Sequence, residues 1–166
     1  MDVGMLIGRL VLGLAMSAHG AQKLFGWFGG YGIAGTGGFL ESLGFRPGRL
    51  FAFALGLGEL GAGLLTAAGL LGPVGPALII LVMLVAMITV HWQHGFFAAT
   101  NGIELSLLFA GSALVLAFVG PGAYSVDAVL GLTRLWTGDV IWGLVGTSVA
   151  GAAVNLAIRR PAQTAH

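Results

Sequence analysis

The sequence predicts an all-α membrane protein: a small bundle of five transmembrane helices. Composition is the first observation. Of 166 residues, 57% are hydrophobic and only 8% charged, with a mean hydropathy of +0.98, whereas a soluble domain needs roughly a quarter of its residues charged to cover its surface. The outer surface must therefore face lipid. The second observation is five apolar segments, each near the roughly 20 residues that span a bilayer. The third is that the few ionisable residues inside those segments fall toward a shared region, as buried charges in lipid must.

The first segment runs from Val3 to Phe25 and contains Arg9, His19 and Lys23, so it reads as a retained helix and not a signal peptide. On a helical wheel Arg9, Gly13, Met16, His19, Gly20 and Lys23 lie within about 120° of one another. That gives one polar, glycine-lined face suited to close approach by another helix or a ligand. The following stretch, Gly26 to Gly48, is long, glycine-rich and aromatic, and is expected to fold back as a cap near the membrane interface. Within it Thr36 to Leu43 is expected to be a short helix, with Thr36 as N-cap and Phe39, Leu40 and Leu43 on one side.

The second segment, Leu50 to Leu71, is interrupted only by Glu59. Gly72-Pro73-Val74-Gly75-Pro76 is expected to make a tight turn, so the second and third segments are antiparallel neighbours. The third, Ala77 to Trp92, leads into His91 and His94. Glu104 opens the fourth, Gly102 to Val119. A turn-rich loop with Gly120, Pro121, Gly122, Ser125 and Asp127 then leads through an apolar piece, Ala128 to Leu135, to the fifth segment, Val140 to Ile158. Asp139 suits that helix's positive end, and Arg159-Arg160-Pro161 is its cationic stop and breaker.

With five spans, the first loop, the third loop and the C-terminus share one side. That side collects Lys23, Arg46, Arg49, Arg159 and Arg160, against Arg134 on the other. The excess of Lys and Arg on cytoplasmic loops puts the first loop, His91 to Glu104 and the C-terminus in the cytoplasm and the N-terminus outside, in a bacterial-type plasma membrane. The net charge of +1 offers no basic patch for nucleic acid. With no cysteine, disulfides, thiol redox chemistry and cysteine-held clusters are excluded.

The ionisable residues converge. Lys23 and His19 lie one turn apart near the first-loop end, and Glu59 lies roughly 13 Å in from that end. His91, His94 and Glu104 gather there too. Arg9 is deeper, about 20 Å from Lys23, which suits it to pair with Glu59 from below. The expected ligand-binding pocket comprises Arg9, His19, Lys23, Glu59, His91 and Glu104. His91, His94 and Glu104 form a candidate metal set, because imidazoles three apart can share a helix face and a carboxylate can complete the shell. The plainer readings stand beside these: interfacial histidines like the adjoining Trp92, and carboxylates locking helices together through Lys23 or Arg9.

The motifs Arg9-x3-Gly13, Gly20-x2-Lys23-Leu24-Phe25-Gly26, Glu59-x-Gly61-x-Gly63-Leu64-Leu65, Asn101-Gly102-Ile103-Glu104 and Gly120-Pro-Gly-x2-Ser125-x-Asp127 occur in order, with His91 between them. In this set the chain resembles the DoxX/DoxD family of small membrane proteins over residues 3–130. The resemblance implies a four-helix bundle of the type seen in vitamin K epoxide reductase-like proteins. It also implies a link to terminal quinol oxidase or thiosulfate:quinone oxidoreductase subunits, or to an oxidative-stress complex with superoxide dismutase and a sulfurtransferase. The fifth segment departs from the family's usual length, which divides the chain into a DoxX-like bundle, 1–130, and an extra helix with a short tail, 131–166.

Three functions follow as expectations. The leading one is a redox-associated membrane subunit whose pocket binds a quinone, with a partner subunit supplying electrons because this chain has no evident flavin or haem motif; metal or haem ranks behind quinone as the ligand. The second is a scaffold or chaperone-like partner with a purely structural polar cluster. The third is a small proton, ion or anion transporter, for which a homo-oligomer would partly answer the shortness of the chain.

Overall fold

The computed structural model describes residues 1–160. It is all helical among those residues. The long helices are α1 (Asp2–Phe25), α3 (Gly48–Ala68), α4 (Val74–Ala86, continued by irregular turns to His94), α5 (Glu104–Val119) and α7 (Gly138–Ala157), with shorter α2 (Gly32–Ser42) and α6 (Val126–Leu130) between them. Helices α1, α3, α7 and the stretch Val74–His94 are long and apolar enough to cross a membrane, and α5, at 16 residues, is shorter. The expectation of a membrane helical bundle holds.

Backbone contacts fix which ends meet. The Ala123 N–H, just beyond α5, donates to Asp2 Oδ1 at 3.0 Å, while the Arg160 N–H, just beyond α7, donates to Gly44 O at 2.8 Å. The ends of α1, α4 and α7 and the starts of α3 and α5 therefore share one end of the bundle. Helices α1, α3, α4 and α5 surround a core of Leu12, Met16, Ala62, Ile79, Ile80 and Ala113, and α7 packs on the outside of α4. Large apolar side chains such as Val11, Leu64, Leu108 and Val149 are exposed, as a lipid-facing surface requires.

The most extensive helix contact is α1 against α3. A Cβ on Gly13 would lie 2.5 Å from Gly63 O, and one on Gly20 would lie 2.7 Å from Gly56 O. Both pairs are seven residues apart on their helices and run antiparallel, so backbone rides on backbone where lipid supplies no hydrophobic drive to association.

Several boundaries differ from expectation for physical reasons. Helix α3 stops at Gly69, whose φ of 64° is the left-handed cap that glycine adopts without strain. Helix α4 starts at Val74 and so contains Pro76. A proline in the first turn is tolerated because its missing N–H would have no helical partner there. Thr36 is not an N-cap but sits inside α2, which begins at Gly32. Leu40, Phe45 and Ala52 form a small second core that seats α2 on α3, so the glycine-rich loop is indeed a cap. Pro161, the expected stop after Arg160, lies outside the described residues.

Candidate functional site

An open cavity of about 570 Å³ lies at the shared end of α1, α3, α4, α5 and α7, under α2. Exposed Phe39 and Leu105 border it, so it opens to the surface. Its walls are mostly apolar, from Phe45, Leu55, Leu81, Val82 and Phe109. Four of the sequence-derived site residues line it: His19, Lys23, Glu59 and His91.

Lys23 and Glu59 form an ion pair at 2.6 Å, with the carboxylate side chain only 3% exposed and the ammonium 24%. It is the single ion pair among the described residues. Helix α1 positions the lysine one turn beyond His19, and α3 runs antiparallel, bringing Glu59 opposite. His19 packs edge-on against Phe109 of α5, with ring centroids 5.8 Å apart. His91 closes a π-helical stretch, Met87–His91, that continues from the end of α4. Such insertions are uncommon and recur at functional sites, and this one adds Thr89, Val90 and His91 to the cavity wall. His91 Nδ1 lies 2.8 Å from Asn101 O. A carbonyl can only accept, so Nδ1 carries the proton and Nε2 of the neutral ring is the acceptor.

Three other candidates lie elsewhere. Arg9 is 3% exposed and sits at the opposite end of the bundle, where its Nη2 donates to Tyr124 O. It does not line the cavity or meet Glu59, because α1 carries it past that depth to the turn after α3. Glu104 stays at the shared end but outside the cavity lining, its Oε2 accepting from the Ala98 N–H at 2.8 Å and so ordering the third loop. His94 is exposed and its Nδ1–H donates to Val90 O at 2.9 Å. The expected metal set His91, His94 and Glu104 is thus dispersed onto three different backbone partners. No three His, Asp or Glu side chains converge as metal ligands among the described residues.

The family can now be placed. Residues 4–92 match the DoxX family, and this span holds α1, α3, α4, the Lys23–Glu59 pair and His91. The chain belongs to the DoxX family. This DoxX chain is also similar to the inner membrane protein YqjF of Escherichia coli (strain K12), with 31% identity over 132 residues, 78% of this chain and 93% of that protein. No solved structure matches it.

Sequence reasoning passed over two groups in this DoxX chain and named a third, Asp127, only as a loop and motif residue. Asn155 of α7 and Ser106 of α5 line the cavity, and a lone amide or hydroxyl inside an apolar helix was their signal. Asp127, fully buried, accepts from the Leu71 N–H at 2.9 Å, the Gly72 N–H at 2.6 Å and Trp136 Nε1 at 2.7 Å. It is the clamp of the far end of the bundle. A second cavity of about 410 Å³ near Gly120 and Trp136 has no ionisable side chain in its lining.

Proposed function

We propose that this DoxX-family membrane protein binds a neutral quinone-class ligand in the cavity at the α2 end and presents it to a redox partner subunit. One observation carries the reading: the Lys23–Glu59 pair, at 2.6 Å, stands in a mostly apolar cavity of about 570 Å³. That volume falls within the roughly 300–1,000 Å³ of small-molecule sites, which combine apolar walls with a few polar groups. The pair leaves no net charge, which suits a neutral head. Lys23 supplies donors for a ring carbonyl and Nε2 of His91 an acceptor for a hydroxyl, so both oxidation states of the ring find partners. The apolar walls and open mouth suit the ligand's tail and its entry from lipid.

The same reading puts the cavity end, with Lys23, Arg46, Arg49, Arg159 and Arg160, on the cytoplasmic side, following the distribution of Lys and Arg, of an inner membrane like that of YqjF.

The test is a chemical inventory of the protein purified in mild detergent, by visible absorption, metal analysis and mass spectrometry of extracted small molecules. Wild type is compared with Glu59→Gln and His91→Ala. A quinone present in wild type and lost in both folded variants supports the reading. Folded wild type that retains no quinone and binds no added short-chain quinone overturns it in favour of the scaffold.

A further inference from the structure

Two segments far apart in sequence meet at the cavity end of the bundle, and both are basic. The turn from α2 into α3 carries Arg46 and Arg49 on either side of Pro47. The end of α7 carries Arg159 and Arg160. The Arg160 N–H donates to Gly44 O at 2.8 Å, which closes the two segments on each other. None of the four arginines has a carboxylate within salt-bridge distance among the described residues. Glu41, the nearby acid, already accepts from the Gly48 N–H at 2.8 Å. Arg159 Nε is buried with no hydrogen-bond partner, although buried polar atoms are nearly always paired.

A surplus of Lys and Arg at one end sets topology by charge alone and needs no convergence. Here a tertiary backbone contact joins the two segments that carry the charges, and one donor is left unsatisfied. We propose that Arg46, Arg159 and Arg160, extended by Arg49, hold the phosphate headgroup of an anionic membrane phospholipid, which joins α7 to the α2–α3 turn. The guanidinium fork matches a phosphate diester by paired N–H donors. Basic pockets between transmembrane helices at the headgroup level are the usual seat of such lipids. The acyl chains lie along the exposed apolar flank of α7, beside Val154 and Ile158.

The experiment is native mass spectrometry of the full chain in neutral detergent, titrated separately with phosphatidylglycerol, cardiolipin, phosphatidylcholine and inorganic phosphate. The anionic lipids are expected to be retained and phosphatidylcholine to dissociate. Replacing Arg46, Arg159 and Arg160 together by Gln weakens anionic-lipid binding about a hundredfold. Arg134→Gln, at the opposite end, leaves it unchanged. Equal retention of phosphatidylcholine, or full retention by the triple variant, overturns the site. Inorganic phosphate that competes lipid off at similar concentration overturns the lipid as its occupant. Should the triple variant not fold, salt decides with wild type: a charge-held headgroup is released at high ionic strength, and salt-independent retention overturns the proposal.

Discussion

Gly13 of α1 and Gly63 of α3 face each other so closely that a Cβ on Gly13 would lie 2.5 Å from Gly63 O. This contact sets the separation of the two helices that carry Lys23 and Glu59. Gly13→Val is therefore expected to destabilise the protein by about 3 kcal/mol, the upper range for overpacking where the obstacle is backbone. Gly61→Ala, where an added Cβ meets nothing within 4 Å, is neutral or mildly stabilising. Thermal unfolding in detergent separates the two, and equal melting temperatures would remove the close contact as an organising feature.

At the other end, Asp127 ties the α3–α4 turn to the segment before α7 through two backbone N–H groups and the Trp136 indole. Asp127→Asn keeps the shape but turns one accepting oxygen into an amide donor that faces an N–H, so at least one of the three hydrogen bonds is lost and the others lose their charge, at an expected cost of about 3 kcal/mol. Ligand retention at the distant cavity stays intact in the surviving folded protein. A variant that melts like wild type but loses ligand would show that the clamp is not Asp127's role.

The Lys23–Glu59 pair distinguishes a binding site from a strut. Glu59→Leu leaves a half-buried ammonium without its partner and is expected to cost about 3 kcal/mol. The double replacement Lys23→Leu/Glu59→Leu recovers most of that stability, because both desolvation penalties vanish together. Quinone retention stays lost in the double variant. Recovery of stability and ligand together would make the pair purely structural.

The sequence made the spans and the cap legible because each is a local property: apolar length, glycine and proline punctuation, Lys and Arg placement. Convergence was legible where one helix wheel and the alternating direction of its neighbours sufficed, as for His19, Lys23, Glu59 and His91. Arg9 shares that wheel face, yet the face alone does not say at what depth a partner waits, and Tyr124 comes from a loop more than a hundred residues away. His91 and His94 read as one metal-binding face at three-residue spacing, but each ring gives its Nδ1 to a carbonyl of its own, Asn101 O and Val90 O. Glu104 satisfies the Ala98 N–H within its own loop, a local use of a carboxylate that no periodicity reveals.

Asn155 tests whether α7, the last helix beyond the DoxX match, takes part in binding. Its Nδ2 donates to Gly151 O at 2.9 Å, which leaves Oδ1 as an acceptor at the cavity wall that α7 completes. A purely additional helix would need no polar group at that position, since α7 buries only Ile141, Ser148 and Ala152 on the bundle. Asn155→Leu removes the acceptor and adds apolar surface, so the fold is expected to stay as stable as wild type. Affinity for a short-chain quinol, whose hydroxyl can donate, falls about tenfold, the worth of one hydrogen bond to a neutral acceptor. Affinity for the corresponding quinone, which has no hydroxyl to donate, changes less. Titration of both forms by isothermal calorimetry reads the difference directly. Equal affinities in wild type and variant would confine the site to α1–α5 and reduce α7 to a packing helix.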